Sequence, residues 1–97
     1  MRIWDKELLD KYADKHANIR SSLQHWIDFV EEAEWKSHNE LKMDFPSVDY
    51  IGKGRYIFNI QGNNYRLIAI VVFIQGILKI CFIGTHAEYD KINCKTV

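Results

Sequence analysis

The chain has 97 residues, 47% of them hydrophobic and 27% charged, a balance that is typical of a globular domain and excludes a disordered or fibrous protein. Its formal net charge is zero, so it lacks the overall basic excess that is usual for proteins that bind nucleic acid. We find no secretory signal pattern and no apolar run long enough to cross a membrane, and we expect a single cytoplasmic domain over residues 1–97 with reduced cysteines.

The first half of the chain has a mainly helical pattern. Met1–Trp4 is a candidate strand. Apolar residues at helical spacing then predict a first helix over Lys6–His16 and a second over Ile19–Trp35. The pattern weakens over Lys36–Lys53, where only Leu41–Phe45 has the character of a helical turn, and we predict a connecting loop.

The second half has the pattern of a β-meander. Aromatic and β-branched residues predict strands over Arg55–Ile60, Tyr65–Phe73 and Leu78–Ile83, separated by glycine-containing turns. A last helical turn capped by Thr85 follows, and we expect a frayed end over Asn93–Val97. The predicted class is α+β, with two N-terminal helices on one face of a small antiparallel sheet to which Met1–Trp4 is a candidate addition.

Charge is distributed unevenly along the chain. Residues 1–50 contain seven Lys or Arg against eleven Asp or Glu, whereas residues 51–97 contain six against two. Strand alternation predicts a cationic patch at one end of the sheet, able to hold phosphates, formed by Lys53, Arg55, Arg66 and Lys79. Simple alternation also places Lys79 on the same face as Cys81 and Ile83. A scatter of solvated basic residues that balance acidic helices remains an alternative.

The densest polar segment is Gly84–Asp90, directly after the last predicted strand. A histidine, a tyrosine and two carboxylates at a strand end can transfer protons and donate hydrogen bonds to a phosphate. Histidine is common elsewhere in this chain, so a structural role for His86 remains open. No group of His and Cys has the spacing of metal ligands, and we predict no metal site.

Several stretches together resemble the HigB family of toxins, which is RelE-like. They are Trp35–Ser37, Phe45–Asp49, Phe58–Asn63, Tyr65–Leu67 and the closing Gly84–Ile92. The resemblance implies an endoribonuclease that cuts messenger RNA at the ribosome without a metal or cofactor. It also implies a partner, a helix-turn-helix antitoxin that silences the toxin.

Residue roles follow from the same resemblance. Arg66 is implied to stabilise charge in the transition state, His86 to act as general acid or base, and Tyr89 to donate a hydrogen bond or stack on a base. The implied contacts to the RNA backbone are Lys36, Lys53, Arg55 and Lys79. Glu88 and Asp90 are expected either to orient His86 or to cap the last helix.

Two other functions remain open. The first is a non-catalytic protein-binding module or an inactive toxin relic, with an aromatic partner surface formed by Trp26, Trp35, Tyr56 and Phe58. Aromatic residues at helical and strand spacing are more often part of a core than of a surface. The second is a metal-independent hydrolase that acts on a small molecule.

Overall fold

A computed structural model describes all 97 residues and confirms the α+β class. Its elements in chain order are β1 (Arg2–Trp4), α1 (Glu7–Lys15), α2 (Arg20–Glu32), α3 (His38–Asp44), β2 (Asp49–Tyr50), β3 (Arg55–Ile60), β4 (Tyr65–Val72), β5 (Ile77–Thr85) and α4 (His86–Asp90). Single 3₁₀ turns precede α2 and β5. None of the helices combines the length and the apolar character that a membrane span requires.

The two N-terminal helices form as predicted, except that α2 ends early. The sequence predicts a helix that reaches Trp35, but the last helical residue is Glu32. Ala33 has an extended backbone with ψ of 147°, which turns the chain away from the helix axis. The Trp35 indole is nevertheless buried, and its Nε1–H donates to Asp44 Oδ2 at 2.8 Å. Trp35 therefore contributes to the core from outside α2.

The segment between α2 and β3 is more regular than the predicted loop. Helix α3 begins after Ser37, whose hydroxyl accepts a hydrogen bond from the Glu40 N–H. The two residues of β2 then pair with β3, with Tyr50 opposite Tyr56. Two residues are too few to show a periodic pattern in the sequence. A strand this short forms only by pairing with a neighbouring strand.

The sheet has five strands in the order β1-β5-β4-β3-β2. The predicted meander of β3, β4 and β5 is confirmed, and the candidate N-terminal strand pairs with β5 in parallel orientation. Helices α1 and α2 cover one face of this sheet. One cluster of 20 buried residues joins the two layers, with Leu9, Leu23 and Val30 from the helices packed against Leu67 and Leu78 from the strands.

Strand β5 contains a bulge at Cys81. Ile68 of β4 pairs with Phe82, whereas the next residue, Ala69, pairs with Ile80. Cys81 therefore has no partner on β4, which is the arrangement of a β-bulge. The bulge shifts the alternation of side chains along the second half of the strand by one position.

This shift corrects the face assigned to Lys79. We call the sheet face opposite α1 and α2 the outer face. Lys79 shares the outer face with Phe82 and Gly84, because all three lie opposite outer-face residues of β4. The prediction that Lys79 shares a face with Cys81 and Ile83 is wrong, since Ile83 packs into the core.

The outer face is partly covered by residues 91–97, which we call the C-terminal segment. Ile57 and Ile68 point to the outer face by strand parity, yet they are only 6% and 0% exposed and lie outside the main core cluster. The C-terminal segment reaches across this face, where Arg55 Nη1 donates to the main-chain oxygen of Val97 at 2.8 Å. The prediction of a frayed end is wrong here, because the segment packs against the sheet.

Candidate active site

Helix α4 is fixed at its first turn by a capping box. The Thr85 hydroxyl accepts from the Glu88 N–H at 3.1 Å, and Glu88 Oε1 accepts from the Thr85 N–H at 2.8 Å. The Tyr12 hydroxyl of α1 donates to the same Oε1 at 2.7 Å. The bonds from Thr85 and Tyr12 lower the pKa of Glu88. Glu88 therefore caps α4 and ties it to α1, which is one of the two roles expected from the sequence.

His86 is the first residue of α4, directly after the end of β5. Its Nδ1 lies 3.3 Å from Asp90 Oδ2, one helical turn later, and both side chains are more than half exposed. Its N–H donates to the main-chain oxygen of Asn64 in the β3–β4 turn at 3.3 Å. Asp90 thus restrains the imidazole from the Nδ1 side, which leaves Nε2 free to meet a substrate.

Tyr89 lies one turn along α4 and is partly buried. Burial raises the pKa of its hydroxyl, and the neighbouring Cys94 thiol and the Asp49 carboxylate act in the same direction. The Arg66 guanidinium is close enough for its charge to lower that pKa, but it does not outweigh the other causes. The Tyr89 hydroxyl is therefore protonated at neutral pH and can donate a hydrogen bond or a proton.

Arg66 lies on the outer face of β4, between Asn59 of β3 and Gly84 of β5. Its Nη1 is buried and has no hydrogen-bond partner within the chain. A buried guanidinium nitrogen without a partner is costly, because its N–H groups lose their hydration and gain no hydrogen bond. An anion held beside the guanidinium, such as a phosphate, would balance its charge.

Gly84 provides the space beside Arg66. A Cβ atom at Gly84 would lie 2.6 Å from Cζ of Phe82 and 3.1 Å from Cβ of Glu88, so any larger residue would collide with the Phe82 ring. The backbone of Gly84 does not have a positive φ, and the glycine is therefore required for space and not for conformation. The Phe82 ring consequently lies over the end of β5, next to the position of Arg66.

The predicted cationic patch is divided between two places on the outer face. Arg55 and Lys79 both lie opposite Ile70, one on each side of β4. Arg66 is four residues from Ile70 on the same strand and face, about 13 Å away at the usual rise of a β-strand. The prediction of one cluster at one end of the sheet is therefore wrong, because Arg66 lies near one end of β4 and the neighbouring Arg55 and Lys79 lie beside its other end.

The two remaining predicted RNA contacts have different surroundings. Lys53 is exposed in the turn before β3, near the Arg55 end of the sheet. Lys36 lines a separate groove with Glu31, Glu34 and Gly76, away from α4. The structure thus brings Arg66, His86 and Tyr89 to one end of the sheet and does not bring Lys36 to them.

Two residues of this region were not identified from the sequence. Asp49 of β2 and Cys94 of the C-terminal segment both lie close enough to Tyr89 to raise its pKa. Asp49 reaches the outer face because β2 pairs it with Ile57, and Cys94 because the chain returns after α4. Both placements depend on tertiary contacts, and no local pattern in the sequence indicates them.

The aromatic partner surface considered from the sequence does not exist. All four of its residues are at most 5% exposed and belong to the core cluster: Trp26, Trp35, Tyr56 and Phe58. The two tryptophans and Phe58 pack edge to face with one another or with Phe45, as the Trp26–Phe58 pair does at 5.3 Å between ring centroids, and Tyr56 stacks on His38. A protein-binding function would need a different surface.

Comparison with known proteins decides the family. Residues 19–92 match the model of the HigB toxin family, described as the RelE-like toxic component of a toxin-antitoxin system. The chain belongs to the HigB toxin family. The match includes all of β2 to α4, and thus Arg66, His86 and Tyr89. The resemblance seen in the sequence is confirmed.

Two relatives show how far this similarity extends. The mRNA interferase HigB of Escherichia coli O6:H1 (strain CFT073) is 30% identical over 96 residues, which covers 96% of this chain and 92% of the relative. The mRNA interferase toxin HigB of Escherichia coli (strain K12) is 31% identical over 93 residues, which covers 93% and 88% of the two chains. The HigB family similarity therefore extends over nearly the whole of both proteins.

Proposed function

We propose that this HigB-family chain is an endoribonuclease that cleaves messenger RNA. In its finer form the proposal is that cleavage occurs on the ribosome, and hence in the cytoplasm, without a metal or cofactor. A helix-turn-helix antitoxin neutralises the activity. Family membership and the names of the relatives support the activity and the existence of an antitoxin. The structural observation that carries the proposal is the unpartnered, buried Arg66 Nη1 at the same end of the sheet as His86 and Tyr89.

The reaction needs no nucleophile from the protein. The 2′-oxygen of a ribose attacks the adjacent phosphorus, a new O–P bond forms, and the bond from phosphorus to the 5′-oxygen of the next nucleotide breaks. A base removes the proton of the 2′-hydroxyl and an acid supplies a proton to the departing 5′-oxygen. Additional negative charge develops on the phosphate oxygens in the transition state and requires donors that are already in place.

The side chains at this end of the sheet match those requirements. Arg66 has no ion-pair partner within the chain, so its charge is available to a phosphate and stabilises the transition state. His86 moves a proton through Nε2 while Asp90 restrains Nδ1. Tyr89, protonated at neutral pH, donates to the phosphate or to the departing oxygen.

The rest of the outer face offers a path for the RNA chain. Lys79 is exposed on this face, and Arg55 and Lys53 lie near the same end of β3. Their distance from Arg66, about 13 Å, is on the order of two nucleotide steps of an extended strand. We propose that these cations hold backbone phosphates next to the one that is cleaved. Lys36 is excluded from this role, because it lies in a different groove beside Glu31 and Glu34.

The test is induced expression in a bacterial culture, with growth and messenger RNA integrity followed together. We expect the wild-type chain to stop growth and to produce new messenger 5′ ends in primer extension. Arg66→Ala and His86→Ala should each reduce cleavage by about 10²–10³, the usual cost of removing one group that meets developing charge. Tyr89→Phe should reduce it as well, because the hydroxyl is the donor.

Control variants distinguish a loss of catalysis from a loss of folding. His25→Ala removes an exposed histidine of α2 and should leave cleavage unchanged. Arg66→Lys keeps the charge but loses the planar fork, so it should recover only part of the activity. Cleavage of purified messenger with and without ribosomes tests the finer proposal. If the wild-type chain neither arrests growth nor cleaves RNA, the proposed endoribonuclease activity is refuted and a protein-binding module is favoured.

A further inference from the structure

A groove that the proposed cleavage does not use separates α1 from the free edge of β5. Its volume is about 500 Å³, and most of its wall is apolar. Leu8, Lys11, Tyr12 and Lys15 of α1 form one side, and residues 81–83 of β5 form the other. Leu8 is 39% exposed, and Trp4, at the end of β1, is 49% exposed. We call this the α1–β5 groove.

The floor of the groove is a strand edge without a neighbour. Strand β1 ends at Trp4, opposite Lys79. From Ile80 to Thr85, therefore, no strand pairs with β5 on the side away from β4. The Thr85 N–H points away from β4, since it donates to Glu88. Ile83, two residues earlier on the strand, has the same orientation. The main-chain N–H and C=O groups of Ile83 are therefore available to pair with an added strand.

The charge of the groove is positive. Lys11 and Lys15 lie one turn apart on α1 and neither forms an ion pair within the chain. The acidic residue of the same wall, Asp14, is bound to Arg20 at 2.8 Å and offers little negative charge to a ligand. A ligand that enters here meets an apolar wall, a free strand edge and two unpaired ammonium groups.

From these three features we infer that the α1–β5 groove binds an extended segment of the antitoxin. The segment adds a strand beside β5 in the line of β1, places apolar side chains against Leu8 and Phe82, and carries acidic residues opposite Lys11 and Lys15. This inference rests on the proposed function for the existence of the antitoxin. Apart from Phe82, whose ring also borders the position of Arg66, this docking surface lies on the helical side of β5, whereas Arg66 lies on the outer face.

Two other occupants fit less well. An RNA strand would use the lysines but would leave the apolar wall and the strand edge without partners, since it has no backbone that pairs with a β-strand. A second copy of this chain could pair edge to edge, but it would bring the same Lys11 and Lys15 opposite each other. An acidic, extended protein segment satisfies all three features together.

Cysteine alkylation tests the location directly. Cys81 lines the groove and Cys94 lies in the C-terminal segment, and both are free and partly exposed. Iodoacetamide is applied to the chain alone and to its purified complex with the cognate antitoxin. We expect Cys81 to react much more slowly in the complex, with Cys94 as the internal reference. An unchanged rate at Cys81 would overturn the inference, as would failure of the two proteins to bind.

Charge reversal tests the partner. Lys11→Glu/Lys15→Glu should weaken antitoxin binding by about tenfold, the combined effect of two exposed ion pairs replaced by repulsion. Lys91→Glu/Lys95→Glu makes the same change of net charge in the exposed lysines of the C-terminal segment and should leave the affinity unchanged. Equal affinities for the two variants would contradict the inference.

The same variants separate this inference from the proposed function. RNA cleavage by the free Lys11→Glu/Lys15→Glu chain should equal that of the wild type. If cleavage falls and antitoxin affinity does not, the groove binds RNA and the inference is wrong. If the free chain is a dimer in sedimentation and Cys81 is protected there, a second copy is the occupant. If the wild-type chain cleaves no RNA while the antitoxin protects Cys81, the proposed enzyme activity is wrong and the inferred docking in the α1–β5 groove is supported.

Discussion

Gly84→Ala tests how closely the end of β5 is packed beside the candidate active site. The added Cβ would lie 2.6 Å from Cζ of Phe82, whereas carbon atoms normally approach to about 3.5–4.0 Å. The Phe82 ring must therefore move by about 1 Å. Inserting a methyl group into a packed site typically costs ~1–3 kcal/mol. Since Phe82 borders the open α1–β5 groove, the ring can move outward and the cost should lie near the lower limit.

A second effect acts in the opposite direction. Replacing glycine by alanine where φ is compatible stabilises a protein by ~0.4–1 kcal/mol, because the unfolded chain loses freedom. The backbone at Gly84 is compatible, as its φ is not positive. The net change in the wild-type background should therefore be a loss of up to about 0.6 kcal/mol in the free energy of unfolding, or up to ~2–5 °C in Tm. In a Phe82→Ala background the clash is absent and the same substitution should be neutral or stabilising.

The assay is urea denaturation of the four proteins of this double-mutant cycle. A change of sign between the two backgrounds supports the packing described for Phe82 and Gly84. Equal destabilisation in both backgrounds would refute it, because the cost would then come from the backbone or from Glu88. Circular dichroism of the two Gly84→Ala proteins confirms that each remains folded.

Two further predictions concern charge. Bonds from Thr85 and Tyr12 lower the pKa of Glu88 below its ordinary value of 4.5, so this carboxylate stabilises the fold above pH 4.5 and loses that effect as pH falls through the lower folded value. Glu88→Gln should unfold more easily than wild type at pH 7 and lose less stability on acidification, as measured by urea denaturation at several pH values. Lys79→Ala should reduce the salt dependence of RNA binding by about 0.7 in the logarithmic slope, the value for one phosphate of a single strand. Lys36→Ala should leave that slope unchanged, and equal effects of the two substitutions would contradict the assigned RNA path.

Local sequence patterns predicted the parts of this fold that depend on local chemistry. Helix α1 and strands β3 and β4 lie within one residue of their predicted ends, because their apolar residues repeat with the period of the element. The capped start of α4 at Thr85 is also confirmed, since a capping box involves residues only three positions apart. The resemblance to the HigB family supplied the function, which neither net charge nor periodicity indicated.

The features that the sequence did not predict depend on distant contacts. The two-residue β2 exists only beside β3, and α2 ends early because Trp35 packs against α3 and bonds to Asp44. The C-terminal segment is held by Arg55, 42 residues earlier in the chain. The split of the cationic patch follows from strand register, which fixes the distance between Arg66 and Lys79. Register cannot be predicted from amino-acid composition.

The unpaired residue in β5 has a consequence for how this surface can change in evolution. Deleting Cys81 would place Phe82 directly after Ile80, so the strand would alternate regularly and every later side chain of β5 would keep its present face. If all residues were kept and Cys81 paired with Ile68 instead, the later side chains would turn over, with Ile83 facing the RNA path and Phe82 entering the helical layer. In relatives of this chain, a deletion at the bulge should therefore preserve the outer face, whereas a change that lets Cys81 join the ladder should reverse it.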